Sequence, residues 1–226
     1  MGFAGIDINM GCPDRTVMNN GCGAGMIQTP EVAGAVIRAV QKGAGALPVS
    51  VKTRIGFNKI ITNDWISFLL SFHLDALTIH GRTARELSKV PAHWDEIGKG
   101  VEIRNRLGVT TKIIGNGDVK NAKDAMEKHT QYGVDGVMMG RAVFADMWAF
   151  DKSDTPHETT TKELLDLMER HIRMFDAEGG KKKNYSILKK FFKIYINGFD
   201  GASEVRDQCM KTNTVEEVLH ILEDLR

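Results

Sequence analysis

At 226 residues and 42% hydrophobic content the chain can build one sizeable core, or one domain with a smaller appendage, and its net charge of +1 excludes no partner, because basic residues can gather in one patch while the total stays near zero. Three scattered cysteines, Cys12, Cys22 and Cys209, form no CxxC pair, which argues against a disulfide scaffold and against any metal (zinc) site and fits a reducing compartment. The N-terminal MGFAGIDI lacks the basic stretch and apolar core of a signal peptide, and no apolar run approaches the roughly 18 residues of a membrane span, so a soluble, cytoplasmic protein with no membrane partner is expected.

Short apolar runs recur along the first two thirds of the chain: AGIDIN over 4–9, LPVSVK over 47–52, ALTIH over 76–80, TKIIG over 111–115 and DGVMMG over 135–140. They are nearly continuous rather than alternating, which predicts parallel strands with both faces covered by helices. Between them, Thr29-Pro30-Glu31 followed by VAGAVIRAVQKG reads as an N-cap, a first-turn proline and a terminal Gly43, predicting a helix over 30–42. Further helices are expected near 62–73, 94–107 and 120–131. Strand and helix alternate, the mark of βα units.

Every run delivers polar groups at its carboxyl end: Asn9 and Cys12, Lys52 and Arg54, His80 and Arg82, Asn116 and Asp118, Gly140 and Arg141. A doubly wound sheet gathers functional groups chiefly at one switch point, whereas a (β/α)8 TIM-type barrel collects them from many strand ends, so the barrel is favoured over 1–150. IIGNGDV and VMMGRAV place glycines where a strand turns into a helix, exposing backbone N–H groups to an anion, and Arg141 adds a charge-assisted contact; a bland tight turn is the competing reading of either pair.

Beyond about residue 150 the polar stretch DKSDTPHETTT reads as a linker, and KELLDLMERHIRMF, YSILKKFFKIYINGF and VEEVLHILEDLR have helical spacing, predicting an all-helical domain over 151–226. Within it Lys181, Lys182, Lys183, Lys189, Lys190 and Lys193 fall in thirteen residues containing no acid. Two readings stay open: a solvated helix face with Phe191, Phe192 and Tyr195 buried, and a surface for a polyanion.

The ordered set DINMGCP, GCGAGM, VSVKTRIG, IHGRTA, GNGDV and VMMGRAV resembles the tRNA dihydrouridine synthase family, flavoenzymes with an FMN-binding barrel followed by a helical RNA-binding domain. The resemblance implies FMN as cofactor, NADPH as electron donor and tRNA as partner. It makes Cys12 the proton donor: a thiol with an ordinary pKa of about 8.5 is mostly protonated at neutral pH and still able to release its proton. It places Lys52 at the flavin ring and His80 along the cofactor as a neutral or charged donor, with Asn116, Gly117, Asp118, Gly140 and Arg141 around the phosphate and ribityl chain. Asn9 would meet the uracil edge, Arg54 and Arg82 the target nucleotide, and Lys189 and Lys190 the tRNA backbone.

A complete barrel has eight strands and five are found here; the PMAG-type first strand of the family is not seen, so the resemblance begins at the fourth. A partial barrel incomplete at its N-terminus is therefore expected to expose long apolar edges and half of an inner surface, to be either a truncated piece or completed by a second polypeptide, and to bind FMN poorly alone. Two other functions compete: a catalytically dead RNA-binding remnant, and another FMN barrel such as a dihydroorotate dehydrogenase.

Overall fold

A computed structural model describes every residue except Met1, Asp154, Pro156, Lys181, Lys182 and Arg226. The chain divides into two units, one ending at Lys152 and one beginning at Ser153.

The first unit holds five strands, β1 (Ile6–Met10), β2 (Val49–Arg54), β3 (Ala76–His80), β4 (Lys112–Asn116) and β5 (Gly136–Met138), with helices α1 (Arg15–Asn19), α2 (Pro30–Ala44), α3 (Thr62–Leu70), α4 (Trp94–Leu107), α5 (Ala122–Tyr132) and the short α6 (Ala142–Ala145). All neighbouring strands are parallel, in the order β1-β2-β3-β4-β5. A doubly wound sheet reverses its strand order at a switch point; here the winding never reverses, which is the progression of a (β/α)8 barrel carried through five strands.

Helices cover one face of the sheet. Ile8, Met10, Val51, Leu77, Ile79 and Ile113 pack there against Ile37, Trp65, Ile66, Leu69, Ile97 and Val101 in one core. The opposite face was expected to be apolar and covered; it is largely polar, and its residues range from exposed Asp7 and Asn9 to buried Thr78 and Arg54. Register places Asn9, Lys52 and Thr78 in one row and Arg54, His80, Asn116 and Met138 in the next. Asp7, Asn9 and Lys112 are exposed on this face. In the first three runs Asp7, Asn9, Ser50, Lys52, Thr78 and His80 alternate with apolar residues, whereas Ile114 and Met138 keep the last two runs apolar on this face as well.

Element ends differ from the sequence expectation in ways that local chemistry explains. β2 is displaced two residues toward the C-terminus, so Lys52 and Arg54 lie inside the strand. α2 runs through Gly43 and stops at Gly45, whose φ of 61° only glycine adopts cheaply, and Thr29 stands at its N-cap without a side-chain hydrogen bond. α5 starts at Ala122 because the Asn121 side chain caps the Asp124 amide at 2.9 Å.

The second unit is all helical: α7 (Thr161–Phe175), a π-helical turn (Asp176–Gly180), α8 (Ser186–Tyr195), α9 (Ala202–Lys211) and α10 (Val215–Glu223). Thr160 and Glu163 form a capping box at the start of α7. Leu165, Met168, Ile172, Leu188, Phe192, Tyr195, Cys209, Val218 and Leu222 form its buried positions. α9 was not foreseen; ASEVRDQCMK has too few apolar residues to print a helical period.

Candidate active site

The carboxyl ends of β2 to β5 open into a cleft of about 840 Å³. Lys52, His80, Asn116, Gly117, Asp118, Gly140 and Arg141 all line it, together with Arg82. Strand alternation brings them together: Lys52, His80 and Asn116 project from one face of adjacent strands, and the others follow directly on strand ends.

Lys52 is half-buried, and among the described residues its ammonium has no hydrogen-bond or ion-pair partner. Burial, then the Arg54 charge, lowers its pKa from the ordinary lysine value, while Asp7 pulls the other way. His80 is pushed down to about 3 by burial first and by Arg54, Lys52 and Arg82 next. The imidazole is therefore neutral at physiological pH.

Gly117, at φ 134°, sits where a Cβ would come within 2.6 Å of the Ala92 side chain and 3.3 Å of the His80 ring. Its carbonyl accepts from Trp94 Nε1 at 2.9 Å. Asn116 donates to the Met138 carbonyl at 2.8 Å, tying β4 to β5. Gly140 is different: a Cβ there would meet nothing within 4 Å. The Arg141 guanidinium, 69% exposed, lies 3.4 Å from Asp118. The helix that follows has four residues, too short for the helix-terminus contribution expected of this corner.

Three of the expected residues have partners within the chain. Arg54, proposed to meet the target nucleotide, is 5% exposed, and its guanidinium donates to the carbonyls of Gly11 (2.8 Å), Thr83 (3.0 Å) and Leu87 (3.1 Å). It staples two loops, because a buried guanidinium must satisfy its donors. Arg82 is likewise buried, donating to the Val90 carbonyl at 2.6 Å, to Asp118 and to His80. Asp118, expected at the phosphate, instead accepts from Arg82 and from the Ala92 amide; burial alone would raise its pKa, but these bonds and the charges of Arg82 and Arg141 hold the carboxyl below the usual range. A carboxylate pinned between two arginines orients them and would repel a phosphate.

Asn9 and Cys12 lie at the end of β1, outside the cleft lining but one strand from Lys52. The Asn9 side-chain oxygen accepts from the Gly11 and Cys12 amides, both at 3.1 Å, and the Cys12 carbonyl accepts from Ala24 at 2.9 Å. Asn9 thus shapes the corner that presents the half-buried thiol, leaving its NH₂ group for a ligand. Sequence reasoning missed Ser88, Lys120, Asn121 and Asp146 on the cleft wall. Lys120 and Asn121 follow the GNGDV segment directly; Ser88 lies in a loop without a motif.

In the second unit Lys189 also departs from expectation: its ammonium donates to the Met210 carbonyl at 2.8 Å and lies over the Tyr185 ring. It caps the end of α9 rather than standing free. Lys183, Lys190 and Lys193 are exposed, with no acidic partner among the described residues, and Lys181 and Lys182 lie outside those residues. No helix among the described residues is long and apolar enough to cross a membrane.

A sheet wound in one sense, with cations and glycine corners gathered at its strand ends, defines a protein of the α/β-barrel class with a polar cleft at that end. Comparison with known proteins narrows the class. The chain belongs to the dihydrouridine synthase (Dus) family, whose model matches residues 1–226. Probable tRNA-dihydrouridine synthase 2 of Bacillus subtilis strain 168 is 43% identical over 226 residues, spanning 99% of this chain and 68% of the relative. Probable tRNA-dihydrouridine synthases of Staphylococcus aureus strain Mu50 and Staphylococcus epidermidis strain ATCC 12228 are 42% and 40% identical over the same shares of each chain. The match turns away from a dihydroorotate dehydrogenase, and nothing in it supports a second polypeptide.

Proposed function

We propose that this chain is a cytoplasmic tRNA dihydrouridine synthase that saturates the C5–C6 bond of uridine using FMN and NADPH. One observation carries the reading: an unpartnered ammonium from β2 and a neutral imidazole from β3 line a cleft with an open anion corner, and a half-buried thiol stands at the end of the neighbouring β1. The donor set suits a flavin mononucleotide. Lys52 offers a positive charge, Gly140 and Arg141 leave room and donors for a phosphate, and a cleft of about 840 Å³ is within the usual range for a cofactor. FMN, when bound, supplies the hydride for C6 of the uracil ring.

The residues of the chain do the rest. Cys12 Sγ–H delivers a proton to C5 and is left as a thiolate. Lys52 stabilises negative charge at the cofactor ring, where a desolvated ammonium acts most strongly. Asn116, Gly117, Gly140 and Arg141 hold the phosphate end. The Asn9 NH₂ group faces the base, and the exposed Lys183, Lys190 and Lys193 take tRNA phosphates. Those contacts help to offset the few kcal/mol needed to turn a stacked uridine out of the RNA.

The test is Cys12→Ala. Mass spectrometry of tRNA incubated with protein, FMN and NADPH should show dihydrouridine formation reduced about 10²–10⁴-fold, with the visible flavin absorbance of the purified protein unchanged. Equal turnover in the variant would remove the thiol from the mechanism. Wild-type protein that retains tRNA but neither holds flavin nor forms dihydrouridine would favour the RNA-binding remnant.

A further inference from the structure

Arg82 follows β3 by two residues, and its guanidinium is fixed on three sides. Nε donates to the Val90 carbonyl at 2.6 Å, Nη2 pairs with Asp118, and Nη1 stands 3.2 Å from His80 Nε2. The side chain is 3% exposed. A guanidinium has donors only and does not deprotonate in a protein. Its contact with Nε2 is a hydrogen bond only when that nitrogen carries a lone pair, which leaves the single ring proton of His80 on Nδ1.

The partners of Arg82 are themselves held. Asp118 accepts from the Ala92 amide at 2.9 Å and sits at a positive φ of 53° directly after Gly117. Gly117 leaves space for the imidazole, since a Cβ there would lie 3.3 Å from its Cδ2. The charged groups around the ring are Lys52 and Arg54 from β2, Arg82 from the end of β3 and Asp118 from the end of β4. Three cations against one carboxylate disfavour imidazolium, in accord with its depressed pKa.

We propose that Arg82 is a positioning residue: held by Asp118 and Val90, it locks His80 as the neutral Nδ1–H tautomer, so that His80 presents a hydrogen-bond donor and supplies no proton to the reaction. The neutral-or-charged ambiguity left by the sequence is thereby resolved. His80 is thereby removed as a proton donor, and its Nδ1–H selects an acceptor atom on whatever lies beside it. The inference rests on the proposed function only in naming that neighbour as flavin or uracil.

The test reads the ring directly. Heteronuclear NMR of the His80 nitrogens in the wild-type protein should show a protonated Nδ1, an unprotonated Nε2 and no titration between pH 5 and 8. In Arg82→Lys, where a point-like ammonium has no fork to span three acceptors, the Nε2–H form should rise severalfold. Asp118→Asn, which keeps the shape but removes the carboxylate that aims the guanidinium, should produce a smaller rise. Wild-type His80 found as Nε2–H, or titrating with an ordinary midpoint, overturns the lock; so does an Arg82→Lys protein with unchanged tautomer. Flavin absorbance separates this from the cofactor reading: a locked His80 in a protein that never takes up flavin keeps the lock and loses the cofactor, and an unlocked ring in a flavin-loaded protein does the reverse.

Discussion

At the β4 end of the cleft, Gly117 has no space for a methyl group, and Asp118 joins Arg82, Ala92 and Arg141 in one connected set. At the β5 end, Gly140 faces open space within 4 Å and Arg141 is 69% exposed. Both corners consist of a glycine followed by a charged residue after a strand. In the first the chain satisfies its own donors and acceptors; in the second the glycine is open and the arginine, beyond one 3.4 Å contact with Asp118, faces solvent. A pocket can thus be preorganised on one wall and receptive on the other, the rigid wall setting the angle at which groups such as His80 are offered.

Substituting the two glycines probes this contrast most strongly. Gly117→Ala should cost about 2–6 kcal/mol in urea unfolding, combining backbone strain with overpacking against Ala92. Gly140→Ala should change stability by less than about 0.5 kcal/mol while weakening flavin binding, because its new methyl group enters ligand space. Equal destabilisation by both would erase the difference between the walls. Arg141→Ala comes next: loss of a charged hydrogen bond should reduce FMN affinity by about 1.5–3 kcal/mol in a fluorescence titration, with unfolding unaltered.

Acid acts gradually, pH unit by pH unit, and reports on the packed wall. The folded pKa of His80 is lowered from 6.5 to about 3, so between those values the unfolded chain binds more protons than the folded one. Stability therefore falls as pH drops below about 6.5, by at most about 1.4 kcal/mol for each pH unit. The carboxylates of Asp118 and Asp135, held below their usual range, add to the loss only nearer pH 4. In His80→Gln the decline between about pH 6.5 and 4 should become shallower, the remainder coming from His171, whose pKa burial also lowers; an unchanged slope would place the charge change elsewhere.

The strands and their order of chemistry were legible because periodicity and strand-end polarity are local properties. Asn9, Lys52, His80 and Asn116 share a face simply because parallel strands in register put their carboxyl ends side by side. The arginines were not legible. Arg54, Arg82 and Arg141 look alike in one dimension, each a cation just past an apolar run, yet two are buried against carbonyls and one is exposed. Lys189 and Lys190 are adjacent in the chain, and only one keeps its ammonium free.

Residue type and spacing alone determined which chemical groups this protein owns, that they arrive on successive βα units, and that a thiol ends the first strand. Burial and direction were decided by the tertiary structure: which cation is consumed by a carbonyl, which glycine stands against a neighbour, and on which nitrogen an imidazole keeps its proton. The physical reason is that a side chain's charge is a covalent fact, whereas its partners come from segments distant in the chain and meet only after the sheet has wound.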